Sequence, residues 1–104
     1  MTAGSVLELI LAGLGLEFVK EYKFHKKRRW RIDYYLPKYR VGIEIEGGVW
    51  TQGRHSRGQG YINDCEKYNQ ALLCDIRVLR YPAVVILKSP LEIEKDLKKI
   101  MGAV

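Results

Sequence analysis

The sequence predicts an α/β fold, a mixed central sheet with helices packed on it, in the order helix, three strands, helix, strand, helix. Period-two alternation marks strands at 29–36, 40–46 and 76–81. Helical spacing of apolar residues marks 4–14, 61–73 and the stretch after Ser89. The helix over 61–73 lies between the third and fourth strands, so the fourth joins the sheet through a crossover rather than a hairpin.

Taken in order, Ser5-Val6-Leu7-Glu8 has the form of a capping box. Leu9, Ile10 and Leu11 then run to a Gly13-Leu14-Gly15 stop. Glu17 to Phe24, rich in Phe, Val and Tyr, reads as a first strand, with His25 to Arg29 as its turn. Strands two and three are joined by Pro37-Lys38-Tyr39, which suits a short hairpin loop. A glycine-rich loop from Gly47 to Gly60 holds Trp50, Gln52, Arg54, His55 and Arg57. The helix after it places Tyr61, Cys65, Tyr68 and Leu72 on one apolar side. Val84 to Leu87 fits either a short strand or a packed loop. Ser89-Pro90-Leu91-Glu92 forms a second capping box, opening a helix with Ile93, Leu97, Ile100 and Met101 as its buried stripe.

With 104 residues, 47% hydrophobic and 29% charged, the chain has the composition of a single soluble globular domain. Cys65 and Cys74 make neither a CxxC metal pair nor a disulfide framework, which fits reduced thiols in an intracellular protein. The apolar stretch from Ser5 to Leu16 lacks a basic region before it and is broken by Glu8, so an amphipathic helix fits better than a signal segment. No run approaches membrane-spanning length. The formal charge of +6 points to a polyanionic partner. Nine of the eighteen basic residues lie between Lys20 and Arg40, against Glu21 and Asp33 alone. Such a run is also what an ordinary solvated face looks like.

The third strand carries the most chemistry. Val41, Ile43 and Ile45 share one face, while Gly42, Glu44 and Glu46 share the other. Neighbouring carboxylates on an apolar strand repel one another and resist burial, so they call for a cation. Asp33 on the preceding strand adds a third acid. Converging oxygens of this kind suit a hard divalent ion. The alternatives are a solvent-facing edge strand for Glu44 and Glu46, and a salt bridge to Arg31 or Arg40 for Asp33.

The run Ile32-Asp33-Tyr34-Tyr35-Leu36-Pro37, followed by Val41-Gly42-Ile43-Glu44-Ile45-Glu46-Gly47-Gly48 and later by Arg77-Val78-Leu79-Arg80-Tyr81, resembles the PD-(D/E)XK nuclease superfamily. Within it, the pattern is similar to small very-short-patch-repair-like and Holliday-junction-resolvase-like members. The resemblance spans Ser5 to about Tyr81 and implies a restriction-endonuclease-like core. It implies that Asp33, Glu44 and the backbone carbonyl of Ile45 bind Mg²⁺, with Mn²⁺ as a substitute, and that Glu8 is an extra acid. Position 46 departs from it, holding glutamate where most members have lysine. Lys67 is then the candidate replacement.

Other roles stay open at this level. Glu8 fits capping as well as catalysis, and Lys67 can pair with Asp64 instead of serving a site. His55 is a candidate proton shuttle in a basic loop, and Trp50 either stacks on a base or anchors that loop. Lys26, Lys27, Arg28, Arg29 and Arg31, with Arg54 and Arg57, are candidate phosphate contacts that give affinity rather than sequence readout. The expected function is a Mg²⁺-dependent endodeoxyribonuclease directed by DNA structure or backbone, with no membrane role; the resemblance leaves open a homodimer or action alongside a partner. The small size fits a phage or mobile-element enzyme. The competing readings are a catalytically silent DNA-binding module of the same fold and a subunit that docks on an acidic protein.

Overall fold

Helix α1 (Ala3–Gly13) opens the chain and is followed by strands β1 (Val19–Lys23), β2 (Arg31–Leu36) and β3 (Val41–Glu46). An irregular turn at Ser56–Gly60 leads into α2 (Tyr61–Leu73). Strand β4 (Arg77–Pro82) and helices α3 (Ala83–Lys88) and α4 (Pro90–Met101) complete the fold. This is a computed structural model; it describes residues 1–47 and 56–102, and of Ser56 and Arg57 only the backbone.

The sheet has strand order β1-β2-β3-β4. The first three strands form an antiparallel meander, and β4 pairs with β3 in parallel, as a crossover through α2 requires. Helices α1, α3 and α4 cover one face, where Leu7, Leu11, Leu36, Val41, Ile43, Ile86, Ile93 and Leu97 form the main core. Helix α2 covers the other face through Ala71, which packs with Tyr35 and Ile76. The mixed α/β architecture expected from the sequence is present, with α3 as an additional short helix. No described helix is long and apolar enough to cross a membrane.

Local chemistry explains the boundaries. The cap of α1 is Thr2, whose hydroxyl accepts the Ser5 N–H at 3.0 Å. The expected Ser5–Glu8 capping box does not form, because an earlier hydroxyl takes that role and Glu8 is drawn to the sheet. At the other end, Gly15 adopts φ +70°, and Leu16 N–H reaches back to the Leu11 carbonyl at 2.9 Å. This is the left-handed helix stop that the Gly13-Leu14-Gly15 signal announces. Ser89 does occupy the cap position of α4 with Pro90 in the first turn, but its side chain makes no capping bond. The undecided segment 84–87 is helical.

The phase of α2 differs from expectation. Tyr61, Cys65 and Leu72 are exposed, and the side turned to the sheet runs through Lys67, Tyr68, Ala71 and Cys74. Acids on the strand beneath explain this, since the helix turns a lysine toward them rather than a leucine. Arg40 fixes the far end of α2 to the sheet. Its guanidinium donates to the carbonyls of Cys74 at 2.7 Å and Asp75 at 3.1 Å, satisfying groups that a helix terminus leaves unpaired.

Strand β1 reverses its faces midway. Lys20 meets Glu8 of α1, whereas Tyr22 stacks on Tyr35 on the α2 side, centroids 4.2 Å apart. Residues two apart in a regular strand share a face. Glu21 between them has φ +51°, the twist that turns the strand over.

Candidate functional site

Glu44 lies on a central strand, and its face is the one covered by α2. It is 4% exposed, which removes the reading of an acid on a solvent-facing edge. The β2–β3 register pairs Tyr34 with Ile43, Tyr35 with Gly42 and Leu36 with Val41. One step further, Asp33 comes opposite Glu44, and side chains replace the regular ladder. Asp33 N–H donates to Glu44 Oε2 at 2.7 Å, and Ile45 N–H donates to Asp33 Oδ2 at 2.8 Å. Each carboxylate thus satisfies a backbone donor left over where the strands part. In an extended strand, a residue's N–H and C=O point to the same side, so the Ile45 carbonyl also lies on Asp33's side of β3.

The other Glu44 oxygen is held by α2. Lys67 Nζ and the Tyr68 hydroxyl both donate to Oε1, at 2.5 and 2.8 Å. The Lys67–Glu44 pair is largely shielded, with side-chain exposures of 16% and 5%. Burial pushes the Asp33 carboxyl above the usual carboxylate range, and the neighbouring Glu44 charge adds to this; the Ile45 N–H and Lys67 oppose it. Burial and the Glu44 charge likewise push the Tyr68 hydroxyl upward, so it stays protonated and donates.

A second ion pair lies further along the same face. Arg80 on β4 holds Glu46 at 2.7 Å and comes within 3.9 Å of Asp64. Its guanidinium lies 4.2 Å from the centroid of the Tyr68 ring, and Lys67 Nζ lies 5.3 Å from the same centroid. Tyr68 therefore has a cation near its ring on each ion pair, an arrangement that favours both cations. An open cleft of about 380 Å³ borders it, lined in part by Asp64, Tyr68 and Arg80.

Of the residues singled out from sequence, Asp33, Glu44 and Lys67 come together, with the backbone of Ile45 beside them. Lys67 does not make the Asp64 pair, and Arg40 is turned to Asp75 rather than to Asp33. Glu46 sits next to the cluster, engaged by Arg80. Glu8 stands on the other face of the sheet, where Tyr34 donates to it at 2.7 Å and Lys20 pairs with it at 3.1 Å. These two partners hold its carboxyl below the ordinary range. Lys26, Lys27, Arg28 and Arg29 are exposed in the β1–β2 turn, and Arg31 is exposed at the start of β2. Trp50, Gln52, Arg54 and His55 lie outside the described residues, as does the Arg57 side chain. Among the described residues, no three His, Cys, Asp or Glu side chains converge as a metal-holding group. Tyr68 and Arg80 are the two site residues that sequence reasoning missed. The parallel register, which sets Arg80 beside Glu44, is the signal that identifies Arg80 once the crossover is known.

No protein-family model matches the chain, and no curated protein matches it in sequence. Among solved structures, the fold is similar to the homing endonuclease I-Bth0305I catalytic domain, with a TM-score of 0.72 at 20% identity. The likeness covers 96% of this chain and 93% of that one. The two share a fold across almost their full lengths.

Proposed function

We propose that this protein is a metal-dependent endodeoxyribonuclease of the PD-(D/E)XK type, similar to very-short-patch-repair-like and resolvase-like enzymes. The observation that carries this reading is the pairing of Asp33 with Glu44 across β2 and β3, with Lys67 brought to the same carboxylate. The shared fold with a homing endonuclease catalytic domain supports it, and so does the basic surface.

The residues present fit a hard divalent ion such as Mg²⁺ or Mn²⁺. Asp33 and Glu44 are adjacent like charges, and the second Asp33 oxygen is not the one engaged by Ile45. Asp33, Glu44 and the Ile45 carbonyl would hold the ion, with water completing its shell. When bound, it would neutralise phosphoryl oxygens and acidify water. The chain's own groups carry the rest. Lys67, paired with Glu44, would set its ammonium near the phosphate, where negative charge develops during in-line attack. Tyr68 and the Asp33 N–H hold the Glu44 carboxylate in one orientation. Glu8, paired with Tyr34 and Lys20 on the opposite face of the sheet, stands apart from this pair, and His55 is a candidate proton shuttle. Lys26, Lys27, Arg29, Arg31, Arg54 and Arg57 supply phosphate contacts. Recognition then follows DNA structure or backbone rather than a long sequence site, and a homodimer would bring two sites to two strands.

A second reading, a silent DNA-binding module, is favoured by one observation: Lys67 and Arg80 already neutralise Glu44 and Glu46. Cleavage assays on branched, single-stranded and supercoiled DNA, run with Mg²⁺, Mn²⁺ or EDTA, separate the two. The nuclease reading expects metal-dependent cutting and manganese binding that Asp33→Asn and Glu44→Gln weaken. Metal-loaded protein that binds DNA but cuts no substrate would leave the silent module.

A further inference from the structure

The β1–β2 turn contains the densest basic run, yet one of its cations is disposed unlike the others. His25 Nδ1 accepts the N–H groups of Lys27 and Arg28 at 3.2 and 3.0 Å, folding the turn back on itself. Phe24 and Trp30 lie nearly parallel, with planes 13° apart and centroids 6.1 Å apart. The Arg28 guanidinium lies 4.0 Å from the Trp30 centroid, and Glu66 of α2 holds it at 3.1 Å. Arg28 is thus fixed against an aromatic cluster, with its charge already compensated. It gains less from a phosphate than its neighbours do. What it offers is a plane, and its side chain is 48% exposed.

Beside this plane is an open cleft of about 380 Å³, bounded by Lys27, Arg28 and Trp30 on the turn and by Asn69 and Gln70 on α2. Its size falls in the range of small-ligand sites. Guanidinium and indole planes stack on bases of any sequence, and amide side chains offer both a donor and an acceptor to a base edge. Bases inside a duplex are already stacked and present no free face. Gln70, which lines the cleft, lies three residues after Lys67 on the same side of α2, so the cleft adjoins the face that holds Glu44.

We propose that this cleft binds an unpaired nucleobase of a DNA strand. The base stacks on Arg28, Asn69 and Gln70 meet its edge, and Lys27 meets its phosphate. The inference rests on the nuclease reading for its class of partner and names the substrate within it: DNA that carries unpaired nucleotides.

The test is fluorescence anisotropy with the full chain in EDTA, so that no strand is cut. Three labelled probes are a duplex, the same duplex with a short single-stranded flap, and that flap with abasic nucleotides. The wild type is expected to prefer the natural flap and to lose that preference with the abasic one. Arg28→Lys, which keeps the charge and removes the plane, should weaken flap binding about tenfold and duplex binding less than twofold. Asn69→Ala, at an exposed position, should weaken the natural flap alone. Equal affinity for natural and abasic flaps, or an equal loss on flap and duplex in Arg28→Lys, would overturn the proposal and leave Arg28 a backbone contact. Duplex binding without any flap preference overturns this inference alone. A wild-type chain that binds no probe overturns the nuclease reading beneath it.

Discussion

Asp33 and Glu44 hold each other's strands: the N–H of Asp33 donates to Glu44, and Asp33 accepts the N–H of Ile45, the residue next to Glu44. Each acid is therefore held by a backbone N–H of the sheet, and Glu44 also by the Lys67 and Tyr68 side chains. The arrangement places two like charges side by side in a sheltered spot, and its cost appears in the raised Asp33 carboxyl. Such strain is expected where a fold is shaped for a charged ligand.

Asp33→Asn should abolish cleavage while raising thermal stability at neutral pH. The sign follows from the direction of the shift. A carboxyl whose folded value lies above the unfolded 3.8 stabilises the protein when protonated, and that contribution is lost as pH rises through the folded value. Asparagine keeps an acceptor for the Ile45 N–H and never ionises. The melting-temperature advantage of the variant should accordingly shrink toward zero as pH falls below about 4, where wild-type Asp33 is also neutral. A variant less stable at pH 7 than at pH 3, relative to wild type, would contradict this.

Glu44→Ala should cost about 3–5 kcal/mol, because it leaves a shielded ammonium, the Tyr68 hydroxyl and the Asp33 N–H without their acceptor. Lys67→Met should also destabilise, since it orphans the carboxylate. Lys67 is thus more than a candidate cation for chemistry, and its removal is expected to lower both stability and turnover. The double variant Glu44→Ala/Lys67→Met should lose less than the sum of the single changes, with a coupling of about 0.5–3 kcal/mol in urea denaturation. Strict additivity would mean that the pair does not form in solution.

Gly42 leaves the space on the sheet that the Ile32 side chain fills. A methyl group at this position would meet Ile32 Cγ2 at 2.6 Å, and both residues are buried. Gly42→Ala should therefore destabilise by about 1–3 kcal/mol through overpacking. In an Ile32→Ala background, which carries its own cavity cost, the same substitution should cost markedly less. Chemical denaturation of the four proteins of this cycle gives the answer; an unchanged cost would locate the strain elsewhere.

Glu8→Gln distinguishes an acid that serves the site from one that only docks α1 on the sheet. The Lys20–Glu8 pair is exposed, so its loss should change stability by less than about 1 kcal/mol. Cleavage is expected to stay near the wild-type rate at nearly unchanged melting temperature, because Glu8 lies on the α1 face with Tyr34 and Lys20. A several-fold loss would place Glu8 in the site instead.

The strands and the span of α2 were legible because alternation and helical spacing are local properties. The Asp33–Glu44 match was legible too, since a tight turn at Pro37–Arg40 fixes the register of the hairpin beyond it. Contacts made through the crossover were harder to see. Nothing near Tyr68 or Arg80 in the chain reveals that one stacks on the other, because that contact depends on how far α2 rotates. The phase of α2 is hidden in the sequence for the same reason. Apolar count favours the side with Tyr61 and Leu72, but the sheet presents carboxylates, and their need for Lys67 sets the rotation. Ser5 and Glu8 matched a local capping pattern, yet Thr2 and the distant Tyr34 hydroxyl took their places.

The ion pair that completes the site joins residues 23 positions apart, Glu44 on β3 and Lys67 on the crossover helix that leads to β4. Glu44 emerges early in synthesis and Lys67 later, so a ribosome-bound or truncated chain that stops before α2 carries the acids without their counter-cation. Assembly of the centre is consequently a later event, tied to docking of α2 on the sheet. Should the chain cut DNA, that ordering would act as a built-in safeguard, because half-made copies would lack a finished centre.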